Sequence, residues 1–289
     1  MMGQAETERD MIDQVKEHLN KLLQDGDATA VFGLARGAGD AVAPRVFTVA
    51  DELNSLVLEP KWPLAKAAME VLRVAPEGYR LAFVCRGCDE RAIFELIKRN
   101  QVDADAMVTV GITCSEDQAR SCLCDRPYPS GFAIGEAVKG ADPFEDPAVK
   151  ALLEGDNYAR MKRWARILTR CVKCFGCRNS CPICVCDPCK LEGEPWVKRG
   201  VVPTETLSFQ LIRAFHLADT CVACGACQEA CPAGIPLVTL QHSMRKALKE
   251  NFGYESGLDS STKTPILADF IEAPEKNRQV PEWINSLRE

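Results

Sequence analysis

CVKCFGCRNSCPICVCDPC, residues 171–189, sets seven cysteines into nineteen positions. Cys171, Cys174, Cys177 and Cys181-Pro182 form the C-x2-C-x2-C-x3-C-P run that wraps thiolates round an iron–sulfur cubane. Fifty residues on, CVACGACQEACP repeats it with Cys221, Cys224, Cys227 and Cys231-Pro232. Two-residue gaps let three successive thiolates face one cubane, and the small residues Gly176, Gly225 and Ala226 permit close backbone approach. In two-cluster proteins of this spacing the fourth cysteine of each run serves the other cluster. The expected sets are therefore Cys171, Cys174, Cys177 with Cys231, and Cys221, Cys224, Cys227 with Cys181. Zinc competes poorly here, because it takes four ligands with a longer central loop. The helical segments 157–170 and 206–220 lead directly into the two runs, which points to an all-helical dicluster ferredoxin module.

The rest of the chain has a different texture. Its 289 residues are 46% hydrophobic, enough for one large or two modest domains. Residues 12–23 hold Ile12, Val15, Leu19, Leu22 and Leu23 at helical spacing. Short apolar runs follow at 30–35, 45–50 and 56–59. Then come a helix over 63–74, a strand over 80–84, a helix over 90–100 and a strand over 106–111. Strand, helix, strand at that spacing is a βαβ unit, so a parallel or mixed sheet with flanking helices is expected over about 28–140. The fold class is α/β followed by the helical ferredoxin domain. The expected division is an N-terminal helix (1–27), an α/β domain (28–150), the helical domain (151–250) and a polar C-terminal arm (251–289).

Sixteen cysteines suit either a secreted disulfide scaffold or an intracellular metal protein. The charged N-terminus, MMGQAETERDMIDQVKEHLNKLL, is no signal peptide, and no stretch reaches the roughly 18–20 apolar residues of a membrane span. A cytoplasmic metal carrier is the reading, with no transmembrane segment. The net charge of −6 argues against nucleic acid and leaves other proteins as partners. Arg170, Lys173 and Arg178 flank the first run, whereas Asp219 and Glu229 flank the second. Positive charge favours a reduced cluster, so the first cluster is expected at the higher potential.

Eight cysteines lie outside the two sets. Cys85 and Cys88 follow one strand and Cys114 follows the next, where open α/β sheets place ligands; Cys122 and Cys124 come a turn later. These four or five thiols could hold a third [4Fe–4S] cluster, against a reading as buried free cysteines. Cys184, Cys186 and Cys189 form C-x-C-x2-C, one ligand short of a site. A fourth thiolate from Cys85, or from the Cys122/Cys124 pair, would complete a fourth cluster or a zinc site.

FVCRGCDERAIFELIKRNQ, VGITCSED and CLCDRPYPSGFAIGEAVKG resemble the β-subunit family of coenzyme F-420 hydrogenases and dehydrogenases. The resemblance implies a [4Fe–4S] cluster on Cys88, Cys114, Cys122 and Cys124, with Cys85 as an extra. The cysteine runs beyond look like bacterial iron–sulfur relatives of that family, found beside heterodisulfide-reductase-like, hydrogenase or formate dehydrogenase subunits. An electron-transfer subunit of an anaerobic oxidoreductase complex is implied. The family's best-known members also bind FAD and reduce the deazaflavin, so a flavin-containing catalytic subunit is the alternative. The glycine-rich stretch FGLARGAGD (Gly33, Gly37, Gly39) is not the G-x-G-x-x-G fingerprint and reads as a loop. Asp89, Glu90 and Arg91 could bind a substrate or flavin, or else form an acid-rich helix start. Of the three histidines, His216 reads as packed or capping, and His18 and His242 as surface helix residues.

Overall fold

A computed structural model describes residues 2–187, 189–192 and 208–265. Helix α1 (Met2–Gln24) leads into strand β1 (Ala30–Arg36), which turns back through a tight hairpin into β2 (Val42–Phe47). A short β3 (Leu56–Val57) precedes helix α2 (Ala65–Val74), strand β4 (Leu81–Cys85) and helix α3 (Gly87–Lys98). Strand β5 (Met107–Ile112), helix α4 (Glu116–Ser121) and the two-residue β6 (Ala133–Ile134) complete the α/β part. The sheet runs β2-β1-β4-β5-β6, with β3 also on β1. Strands β1, β4, β5 and β6 pair in parallel, and β2 and β3 pair antiparallel with β1. The sheet is therefore mixed and flanked by helices, as the βαβ spacing implies.

Alternation along β4 explains the two cores. Leu81, Phe83 and Cys85 face one side, against Met69 of α2 and Ile93 and Leu96 of α3. Ala82 and Val84 face the other, with Val15 and Leu19 of α1. All of these side chains are at most 6% exposed. FGLARGAGD falls in β1 and its hairpin turn, where the Gly37 N–H donates to the Ala41 carbonyl at 2.7 Å. The loop reading therefore holds only for Gly37–Asp40, since Phe32–Arg36, with Gly33, are strand, and an antiparallel hairpin offers no helix N-terminus for a dinucleotide there.

Beyond residue 146 the chain is helical: α5 (Pro147–Leu153), α6 (Asn157–Leu168), α7 (Gly176–Asn179), α8 (Ser208–His216), α9 (Ala226–Glu229) and α10 (Leu237–Phe252). Trp164 and Leu168, one turn apart on α6, pack with Phe209, Ile235 and Leu237 into a third core. Ile183, Leu217 and Val222 join the first core instead, so the cysteine-rich part packs into the sheet domain. Of the expected polar arm, residues 251–265 are described, and they run back onto α3. There the Gly257 N–H donates to the Glu95 carboxylate at 2.7 Å. Residues 266–289 lie outside the described residues.

Candidate metal centre

Three recesses in the structure are walled by cysteines, four in each of the first two and five in the third, which shares Cys224 with the second. Cys171, Cys174, Cys177 and Cys231 wall the first, together with Phe209 and Gln210. Cys181, Cys221, Cys224 and Cys227 wall the second, together with Arg213 and Gln241. Cys231 thus stands with the first run and Cys181 with the second, the exchange that the spacing predicts. The third, outside the carboxyl ends of β4 and β5, is walled by Cys88, Cys114, Cys122 and Cys124. Including their mouths, they enclose about 290, 360 and 300 Å³ in that order.

Local backbone geometry builds each wall. Between the cysteines of the first run, Lys173 and Phe175 take positive φ (50° and 58°); fifty residues on, Ala223 and Gly225 do the same (53° and 80°). Leu123, between Cys122 and Cys124, sits at 50°. Four of the six non-glycine residues with positive φ among the described residues thus lie between cysteines. Left-handed turns of this kind gather backbone N–H groups into anion-binding nests, and such strain concentrates at functional sites. The Ala223 N–H donates to the Cys221 sulfur at 3.4 Å and the Ile235 N–H to the Cys231 sulfur at 3.5 Å.

The third recess is assembled from distant segments. Cys88 stands in the first turn of α3, which begins three residues earlier than the apolar pattern predicts. Cys114 follows β5, its N–H held by the Pro127 carbonyl at 2.8 Å. Cys122 caps the C-terminus of α4 and Cys124 follows it, its N–H donating to the Ala119 carbonyl at 2.9 Å; a Ser115–Gln118 capping box starts that helix. Gly87 is demanded by close approach, since a Cβ there would lie 2.3 Å from the Tyr128 carbonyl oxygen. Asp89, Glu90 and Arg91 are all buried and brace this scaffold. Asp89 accepts from the Leu64 N–H, Glu90 accepts from the Ser130 N–H and hydroxyl, and Arg91 donates to the Arg126 carbonyl and the Cys124 sulfur. The acid-rich helix start is thus structural.

The donor chemistry fits cubanes. Burial pushes Cys88 up to about 12, with Asp89 adding to it, and Cys114 up to about 11. Burial likewise raises Cys227 to about 12 against the pull of Arg213. Such thiols part with their protons when a metal takes their place. Among the described residues, no three histidine, cysteine or acidic side chains converge closely enough to chelate one ion. Zinc–sulfur bonds near 2.3 Å would draw four sulfurs to about 4 Å of one another. Cysteines spread around a recess instead suit a [4Fe–4S] group, which offers each thiolate its own iron.

None of the three recesses takes the remaining four cysteines, although Cys85 and Cys184 share the first core. Cys85 is 1% exposed in the first core, on the face of β4 shared with Leu81 and Phe83. Cys184 lies against Cys181, which it holds below the usual thiol range by hydrogen bonding. Cys186 is exposed, and Cys189 packs on the third core. The expected fourth site is therefore not gathered among the described residues.

Two cations that the spacing did not single out join the recesses. Arg213, 3% exposed, walls the second recess and donates to the Cys177 carbonyl of the first at 2.6 Å. Lys61 walls the third, where its ammonium lies 3.0 Å from the Cys122 sulfur and 2.7 Å from the Cys224 carbonyl oxygen of the second. Burial works against the Lys61 charge, but the neighbouring Cys88 and Cys122 sulfurs and Glu229 outweigh it and raise its pKa. Arg178, expected to act on the first run, pairs with Glu192. His242, expected on the surface, is only 5% exposed, whereas His216 is exposed in the last turn of α8, so of its two expected roles packing is excluded.

Comparison with known proteins follows the same lines. No family model matches the chain. The β subunit of F-420-dependent formate dehydrogenase from Methanocaldococcus jannaschii is 39% identical over 106 residues, 37% of this chain and 28% of that protein. The β subunit of F-420-dependent formate dehydrogenase 1 from Methanococcus maripaludis is 35% identical over 135 residues, 46% of this chain and 34% of that protein. Over those stretches the chain is a homologue of these β subunits. The resemblance seen in the cysteine loops therefore holds, and the chain spans about a third of the length of the curated relatives it matches. Among the described residues no helix is long and apolar enough to cross a membrane.

Proposed function

We propose that this chain is an iron–sulfur electron-transfer subunit of a cytoplasmic oxidoreductase complex of formate dehydrogenase type. Three [4Fe–4S] clusters would stand in line: one on Cys171, Cys174, Cys177 and Cys231, one on Cys181, Cys221, Cys224 and Cys227, and one on Cys88, Cys114, Cys122 and Cys124. The supporting observation is contiguity. Cys224 and Ala223 wall both the second and third recesses, and Arg213 touches both the first and second. When bound, such clusters supply successive one-electron levels. The chain's own residues hold them in order, bury them from water, and place Lys61 and Arg213 at the two junctions to offset thiolate charge.

Iron and acid-labile sulfide per chain test this reading after anaerobic purification. About twelve of each are expected, four for each of three cubanes. About eight would confine the relay to the two helical sites. Iron-free, colourless protein would remove the reading altogether.

A further inference from the structure

Cysteine exposure is unequal along the line of recesses. Cys174 is exposed at the mouth of the first, beside Val172, which is 44% exposed. The eight cysteines of the other two recesses are all less open than that. At the first recess, one end of the line, a wall cysteine therefore meets solvent directly.

That end carries an unusual charge pattern. Residues 157–186 hold seven lysines and arginines and no aspartate or glutamate, although the chain as a whole has 35 basic and 41 acidic residues. Helix α6 buries Trp164 and Leu168 and turns Tyr158, Met161, Lys162 and Arg166 outward, before Arg170 and the first cysteine. Lys162 and Arg166 lie one turn apart on one stripe. Arg163 is committed to the Leu152 and Glu154 carbonyls and Arg178 to Glu192. Lys162 and Arg166 are exposed and form no salt bridge among the described residues, and exposed Arg170 likewise forms none there, although it donates to the Ile167 and Gly234 carbonyls at 3.3 and 3.4 Å.

We propose that Lys162, Arg166 and Arg170, with Val172 and Cys174 at the mouth of the first recess, form the docking face for an acidic electron-carrier protein of the ferredoxin or flavodoxin class. The inference rests on the relay reading. Redox encounters use small interfaces, and their specificity and on-rate come from charge complementarity. A local basic face on an otherwise acidic protein orients an acidic carrier while the remaining surface repels it. One electron crosses and no bond forms or breaks. The carrier's centre is oxidised by one electron as the group held by Cys171, Cys174, Cys177 and Cys231 is reduced by one, or the reverse. An anionic membrane is the other surface that a basic helix with outward Tyr158 and Met161 suits, but the overall charge of −6 opposes it.

The test uses the iron-loaded full chain and a plant-type [2Fe–2S] ferredoxin and a flavodoxin as acidic probes. Binding and stopped-flow electron transfer are measured at low and high salt for wild type and for the triple variant Lys162→Glu, Arg166→Glu, Arg170→Glu. Wild type is expected to bind at least one probe at low salt, and the variant to lose roughly tenfold or more in both affinity and transfer rate. Its iron content should be retained, and the double variant Lys162→Glu, Arg166→Glu, which leaves the arginine beside Cys171 in place, should show the same direction of loss with cluster EPR spectra and reduction by dithionite unchanged; Arg36→Glu, on the β1–β2 hairpin, should behave as wild type. Equal binding by wild type and triple variant, or no binding of either probe at low salt, would overturn the proposal. So would wild-type binding to phosphatidylglycerol vesicles that the triple variant lacks, which would assign the face to lipid. Iron-loaded protein that is indifferent to charge reversal sinks the docking face alone; iron-free protein sinks the relay beneath it.

Discussion

Arg213 donates to the Cys177 carbonyl at 2.6 Å, so one buried guanidinium belongs to the wall of the second recess while gripping the backbone of the first. Burial opposes its charge, but the Cys181, Cys177 and Cys184 sulfurs outweigh that and raise its pKa. A fixed positive charge there favours added electrons on both sides. Arg213→Gln is therefore expected to lower the potentials of both helical-domain clusters together, on the order of 50–100 mV at a protein-like dielectric. EPR-monitored redox titration reads this directly. A shift in only one cluster would assign the charge to that side alone.

Gly87→Ala brings a Cβ to 2.3 Å from the Tyr128 carbonyl oxygen and 3.2 Å from that of Arg126. Both are backbone atoms, which cannot swing aside like a side-chain tip. The loop that carries the Cys114 contact to Pro127 must move, at a cost of about 1–3 kcal/mol. The expected outcome is loss of about four irons per chain with both helical clusters retained. Full iron content in that variant would show that the loop yields without disturbing the site.

The two helical cysteine sets were legible because ligand spacing is local: three thiolates within seven residues need no knowledge of the rest of the fold. The βαβ unit was legible for the same reason, through its change of period from strand to helix. The junction cations were not. Lys61 lies in the sequence EPKWP, with no periodic pattern to mark it, and meets Cys224 only after the whole sheet has formed. Arg213 did leave a signal, one turn after Phe209 and four residues before Leu217 on the apolar side of α8, where an arginine is out of place unless partnered. Cys85 left one too. The alternation of RLAFVC puts it with Leu81 and Phe83, on the core face and away from the recess that takes Cys88.

That placement predicts which cysteines serve as ligands and which do not. Cys114→Ser is expected to remove about four irons per chain, whereas Cys85→Ala and Cys186→Ser leave the iron count unchanged. Cys85→Ala should still cost stability, about 1 kcal/mol for the small void left in the first core. Iron loss in either of the last two variants would return that thiol to the ligand set.

His242 gives the fold an acid limit of its own. It is 5% exposed on α10, and its Nε2 has no hydrogen-bond partner among the described residues. Burial first, then Arg245, together lower its pKa to about 4 against the weaker pull of Asp125 and Asp142. The unfolded chain takes up that proton near pH 6.5, the folded chain only near 4. The folded state therefore binds fewer protons across that window, and its stability rises with pH there. The contribution is complete above pH 6.5 and is lost as pH falls toward 4, amounting to about 3 kcal/mol at most. Clusters themselves are acid-sensitive, so the comparison must be between proteins and not between pH values alone. Urea unfolding midpoints of wild type and His242→Gln, followed from pH 7.5 to 4.5, should diverge below pH 6.5, with wild type falling more steeply. Parallel curves would mean that the imidazole finds a partner on protonation and that its burial is harmless in acid.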